Sequence, residues 1–224
     1  MPHSTTMYAS SPRVMSANAT NSTNSTTKKK RMLALHGKGG SGAQFGAHLQ
    51  PLVDATSHVF DWFFCDAPHR EVVGYGWWVL EPGTRTYQAK TLPGLEHSID
   101  IIKANGPFEG VFGFSQGAML AAMLACDADA EAAVTETIVA VGAAYPTCEG
   151  ARFDALVARG GASVRSLHVI GELDAINPPE QAKKVADMFG DKSEVYTFRG
   201  GHTVPMTPEA LQRYVEFLTG SSSD

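Results

Sequence analysis

Gly113-Phe114-Ser115-Gln116-Gly117 separates two stretches of opposite character. Ahead of it, Gly110-Val111-Phe112 reads as the end of a buried strand, and behind it residues 118–126 form an Ala/Met/Leu run with good helix propensity. A GxSxG turn between strand and helix holds its serine in a strained conformation that lifts the hydroxyl clear of the sheet, while the two glycines remove side chains that would strike the flanking strand and helix. Ser115 is therefore the candidate nucleophile. In a chain with 22 glycines the pentapeptide alone is a weak signal, and the strand-turn-helix context carries the inference.

Outward from this junction the same alternation repeats. Apolar strand-like runs at 32–35, 58–64, 110–114, 138–141, 167–170 and 194–198 are separated by helical patterns at 43–53, 95–104, 118–125, 179–189 and 208–218. That order predicts an α/β fold: a mostly parallel sheet of about six strands with helices on both faces, its strand ends gathered on one edge where loops can build a site. One segment, 67–93, breaks the rhythm, being rich in Gly, Pro and aromatics and too long for an ordinary connection. Two readings stand for it: a surface excursion whose aromatics cap the core, or a lid that walls a pocket over Ser115. In the second reading Trp77 and Trp78 line the pocket, with Tyr145 on the leaving-group side and Val204 beside the base.

A serine hydroxyl needs a base, and the base needs an orienting acid. His202 follows the sixth run in Arg199-Gly200-Gly201-His202, where glycines let a loop swing an imidazole over the sheet edge. Asp174 follows the fifth run in Gly171-Glu172-Leu173-Asp174 and is preferred to Glu172, which lies closer to the strand. The chain order Ser115, Asp174, His202 is the one that an α/β-hydrolase sheet produces. After the first run comes His36-Gly37-Lys38-Gly39-Gly40-Ser41-Gly42, whose backbone amides can face the serine; those of Lys38 and Gln116 are the expected oxyanion donors. A phosphate-binding loop is excluded there, because Ala43 and Gln44 stand where Lys and Ser/Thr would be needed.

Composition sets the limits. With 224 residues, 43% hydrophobic and 18% charged, the chain has enough length for one domain with a sizeable core, and no apolar run approaches a membrane span. Three widely spaced cysteines, Cys65, Cys126 and Cys148, lack metal-ligand spacing and read as buried free thiols, which places the protein in the cytoplasm. Residues 1–30 are hydroxyl-rich and acid-free with a basic end, the composition of an unstructured tail, and an organelle transit segment is the sharper alternative. The five basic residues within 1–31 leave the rest of the chain at −10 from a formal net of −5, so nothing points to nucleic acid.

The segment Gly106-Pro107-Phe108-Glu109-Gly110-Val111-Phe112-Gly113-Phe114-Ser115-Gln116-Gly117-Ala118 resembles the nucleophile region of the family of serine hydrolases (FSH) in the α/β-hydrolase superfamily. Leu35-His36-Gly37, Asp66-Ala67-Pro68-His69, Trp77-Trp78, Leu167 through Asp174 and Gly200-Gly201-His202-Thr203-Val204-Pro205 carry the resemblance from residue 31 to about 219. It implies a hydrolase domain over 31–220 acting on a small-molecule ester or thioester, with Ser115, Asp174 and His202 as triad, no cofactor, no metal, and a monomer or homodimer. Acyl-protein thioesterases and carboxylesterases of a sister family share Gly-Phe-Ser-Gln-Gly, but Asp66 to His69 and the tryptophan pair favour FSH. A non-catalytic binding module on the same fold is the alternative of a different class.

Overall fold

The structure is a computed structural model that describes residues 15–16, 28–126 and 133–220. In chain order the elements are β1 (Met15–Ser16), β2 (Lys30–Leu35), α1 (Gly42–Thr56), β3 (Phe60–Phe64), β4 (His69–Arg70), β5 (Tyr75–Gly76), α2 (Leu95–Asn105), β6 (Phe108–Phe114), α3 (Gln116–Cys126), β7 (Val134–Val141), α4 (Gly150–Ala158), β8 (Arg165–Gly171), α5 (Pro179–Asp187), β9 (Ser193–Phe198) and α6 (Pro208–Thr219). The main sheet has the order β1-β3-β2-β6-β7-β8-β9. Its six strands from β3 to β9 are mutually parallel, as the six apolar runs predict. At the far edge β1 pairs antiparallel with β3, Met15 opposite Phe64; the rest of the expected tail up to residue 27 lies outside the described residues.

Side-chain alternation along the strands builds two cores. Leu33, Leu35, Val111, Ile138 and Ala140 face one side and pack with residues of α2, α3, α4 and α5. Their neighbours Met32, Ala34, Phe112, Val139 and Val141 face the other and pack with α1 and α6. Every residue of α3 is buried, which is what an apolar helix without a polar face requires. The chain runs from β2 outward to β3, then returns to β6 on the opposite side of β2. The loops leaving β2 and β6 thus diverge from adjacent strands at a topological switch point, the place where open α/β sheets form their sites.

Two features were not legible in the hydrophobic period. Helix α4 has only Phe153 and Leu156 buried, a single i,i+3 pair, and its first turn is held by Arg152, which donates to Glu149 Oε2 at 2.9 Å and to Glu96. Segment 67–93 contains a two-residue hairpin, β4 with β5, and a short 3₁₀ turn at Thr86–Gln88. All three cysteines are free; Cys65 and Cys126 are buried, Cys148 is half-buried, and burial pushes the Cys65 thiol up to about 12. Among the described residues no helix is long and apolar enough to cross a membrane.

His168 on β8 is the most deeply buried ionisable ring of the sheet. It contacts Ser166 Oγ at 3.1 Å through Nε2, meets Phe189 edge-on and leaves Nδ1 without a partner among the described residues. Burial lowers its pKa from 6.5 to about 4, and burial lowers that of His36 too. The unfolded chain therefore takes up a proton near pH 6.5 that the folded chain refuses until about pH 4, so stability is full above 6.5 and lost as pH falls through this window. The melting midpoint should drop between these two pH values, and His168→Leu should flatten part of the slope in a pH series of thermal melts.

Candidate active site

Strand β6 passes into α3 through one residue, and that residue is Ser115, with φ at +53°, the only positive φ outside glycine among the described residues. The turn is this tight because its flanks touch backbone directly. A Cβ at Gly113 would overlap the Gly117 carbonyl, and one at Gly117 would overlap the Leu35 carbonyl of β2. The Ser115 N–H is fixed by Val141 O at 2.9 Å, tying the turn to β7. This is the strain that the sequence predicts at Ser115.

The loops after β8 and β9 bring Asp174 and His202 to the same point. Asp174 Oδ2 lies 2.6 Å from His202 Nδ1, and His202 Nε2 lies 2.9 Å from Ser115 Oγ. A carboxylate only accepts, so Nδ1 carries the ring proton and Nε2 is left to accept the serine hydroxyl. The other carboxylate oxygen, Oδ1, accepts the N–H groups of Ile176 at 2.9 Å and Asn177 at 2.8 Å, and Asn177 Nδ2 donates to Gly142 O at 2.7 Å. Gly142 has φ +60°, and a Cβ there would press on the His202 ring at 3.3 Å. Glu172 is exposed, whereas Asp174 is buried against His202. The sequence carries little signal for this role of Asn177: Asp174 forms an Asx-type turn with Ile176, two residues on, and Asn177 follows it directly.

Opposite the serine stands the loop after β2. The Ala67 N–H donates to His36 Nε2 at 3.0 Å, so the ring is neutral and its Nδ1–H donates to Gly37 O at 2.8 Å. Gly40 N–H reaches the same oxygen at 3.0 Å. The Gly37 carbonyl and the Lys38 N–H belong to one planar trans peptide, so fixing the oxygen aims the N–H the other way. Gly39 N–H is taken by Tyr75 O at 2.8 Å, whereas Lys38 N–H has no acceptor among the described residues. Gln116 N–H opens α3 and has no intrahelical acceptor. Lys38 and Gln116 thus each carry a backbone N–H without an acceptor among the described residues.

Trp77 and Trp78 do not line a cavity; both are fully buried in the core. The reason is hydrogen bonding: Trp77 Nε1–H donates to His36 O at 2.8 Å, its backbone N–H donates to Gln116 Oε1 at 2.9 Å, and Gln116 Nε2 donates to Trp78 O at 3.3 Å. Tyr145 is also buried, packed at a tilt against Phe153 and beneath Lys184. A cavity of about 380 Å³ beside Ser115 is lined instead by Leu80, Glu81, Thr84 and Arg85 from the later half of segment 67–93, with Met119, Ile176 and Asn177. A second cavity, about 370 Å³, lies between α1 and the His202 loop and is where Val204 falls. His202 lines both. Among the described residues no group of His, Cys, Asp and Glu side chains is arranged to hold a metal.

The sequence pattern of the serine hydrolase (FSH1) family matches residues 25–214. Esterase OVCA2 of Danio rerio is 30% identical over 223 residues, covering 84% of this chain and 96% of that one. Acyl-protein thioesterase 2 of Zea mays superposes with a TM-score of 0.67 at 17% identity, over 93% of this chain and 98% of that one. The carboxylesterase of Bacillus cereus gives 0.62 at 16% identity, over 87% and 90%. At these identities the two structures speak for a shared α/β-hydrolase fold.

Because His36 joins the Lys38 peptide to Ala67 through two buried hydrogen bonds, His36→Phe should lower the unfolding free energy by about 2 kcal/mol. Urea titration reads this directly; a change under a few tenths would mean that the two bonds leave the loop's stability unaffected.

Proposed function

The chain belongs to the FSH1 serine hydrolase family, and on that footing we propose that it cleaves a carboxylic ester or thioester by acyl transfer to water on Ser115, His202 and Asp174. The observation that carries the residue assignment is the unbroken relay from Ser115 Oγ to His202 Nε2 at 2.9 Å and from His202 Nδ1 to Asp174 Oδ2 at 2.6 Å, built on a serine at positive φ.

In this reading His202 takes the hydroxyl proton as Ser115 Oγ attacks the carbonyl carbon, and the N–H groups of Lys38 and Gln116 receive the oxyanion. The carbon–oxygen or carbon–sulfur bond then breaks, His202 passes its proton to the departing atom, and the acyl group stays on Ser115. Water enters, loses a proton to His202 and attacks the acyl carbon; the bond to Ser115 Oγ then breaks, His202 returns the proton to that oxygen, and the acid leaves. Asp174 keeps the imidazole in the tautomer and orientation that both halves require. The hydrolase domain is assigned to residues 31–220. The cavity beside Ser115 is assigned to the acyl group, with residues 80–86 of the 67–93 segment as its wall. Three free thiols favour a reducing compartment, the cytoplasm.

Ser115→Ala should leave a folded protein whose turnover of an ester substrate is lower by several orders of magnitude, and His202→Ala should fall about as far, because base and nucleophile act as a unit. Asp174→Asn should be far more damaging than Glu172→Gln. Retention of more than about a tenth of the rate in Ser115→Ala would move the nucleophile elsewhere.

Leu80, Met119 and Ile176 are the apolar part of the Ser115 cavity. Specificity should rise with acyl length by up to about 0.8 kcal/mol per methylene until the cavity is full, then break off. Met119→Ala should move the break to longer chains in a kcat/KM series of graded acyl esters, and an unmoved break would exclude this cavity as the acyl site.

A further inference from the structure

His202 stands as a partition between two cavities, and only one of them reaches the serine. The cavity of about 380 Å³ includes Ser115, Gln116 and Lys38; the one of about 370 Å³ includes His202, Phe114 and Lys38 but not Ser115. In acyl transfer the two halves of the substrate have different obligations. The acyl half becomes covalently attached to Ser115 Oγ and has to lie where Ser115 opens. The leaving half never bonds to the serine; its oxygen or sulfur has to meet the proton carried by His202.

We propose that the cavity between α1 and the His202 loop is the leaving-group site, and that it takes an uncharged, amphiphilic alcohol or thiol with a body larger than ethyl. The inference rests on the acyl-transfer reading of the preceding section. Phe45, Phe114 and Val204 form the apolar walls, while Ser41, Gln44 and His48 supply polar atoms at the α1 side. Lys38 is the one lysine, arginine or carboxylate side chain in this lining, and its ammonium is engaged by Glu71 Oε2 at 3.4 Å. His48 is likewise engaged, its Nε2 lying 3.0 Å from Val204 O. A charged leaving group would find no unpaired counter-charge there, whereas the Ser115 cavity carries both Glu81 and Arg85. The leaving group occupies its cavity only until the carbonyl carbon–heteroatom bond breaks, so this cavity governs acylation and the other governs both half-reactions.

That difference in timing supplies the test. Two ester series are compared in the wild type, Gln44→Trp and Val204→Ala: one with a fixed butyryl group and leaving alcohols from methanol to 2-phenylethanol, the other with a fixed leaving group and graded acyl chains. Gln44 is exposed on α1, so its replacement narrows the cavity without entering the core. The ratio of kcat/KM for 2-phenylethyl over methyl butyrate should fall at least about tenfold in Gln44→Trp and rise in Val204→Ala. The assignment is overturned if that ratio does not move, or if either variant shifts the acyl-length profile. It is overturned equally if either variant slows breakdown of butyryl-enzyme in single turnover, since the alcohol has left by then. Absence of any acyl adduct on Ser115 by mass spectrometry in the wild type would instead sink the acyl-transfer reading itself, and this assignment with it.

Discussion

The close crossing of α3 over the end of β2 is the constraint on which the site depends. Gly117 lies against the Leu35 carbonyl with no room for a side chain, and Gly113 lies against Gly117. Only at that distance does α3 begin immediately after Ser115, with Gln116 as its first residue. The strain in Ser115 follows from the same geometry: a chain that turns from strand to helix in one residue has to pass through a region that L-residues avoid. Val141 on the neighbouring strand holds it there.

Around this crossing a buried polar network fixes what packing alone would leave free to rotate. His36, Trp77 and Gln116 come from three distant parts of the chain and satisfy one another, with the indole N–H on the His36 carbonyl and the glutamine amide on the backbone of both tryptophans. Such a network is stable only when each member is paired, which makes it selective for one arrangement. Its effect is to orient the Gly37–Lys38 peptide. The neutral state of His36 is part of this arrangement, because a second ring proton would point at the Ala67 N–H.

The strands, the helices around them and the serine turn were legible because their signals are local: a period of two, a period near 3.6, and a pentapeptide between them. Asp174 and His202 were legible because each follows a strand at a short interval. The choice of Asp174 over Glu172 agrees with geometry, with the glutamate in solvent and the aspartate held by three hydrogen bonds. Trp77 and Trp78 misled because aromatic residues in a long loop carry the same signal whether they wall a pocket or pin a neighbouring loop. For Trp77 the partner of the indole N–H distinguishes the cases, and that partner, the His36 carbonyl, is 41 residues away; Trp78 is fully buried with its Nε1 unpartnered among the described residues. Segment 67–93 does border the serine, but through Leu80 to Thr86, whose mixed composition has no period to read. Helix α4 was hidden for the same want of repeating apolar positions.

The two cavities on either side of His202 are drawn largely from different stretches of chain: residues 80–86, 115–119 and 176–177 for one, residues 36–48, Phe114 and residues 203–204 for the other, with Lys38 and His202 as shared walls and Phe114 adjoining Ser115. Substitutions in one wall have few contacts through which to perturb the other, so their energetic effects should add. On the proposed assignment of these cavities to the two ends of a substrate, preference for each end can drift by single mutations without passing through an intermediate that has lost both. A scaffold of this kind can diversify combinatorially while the relay between its walls stays fixed.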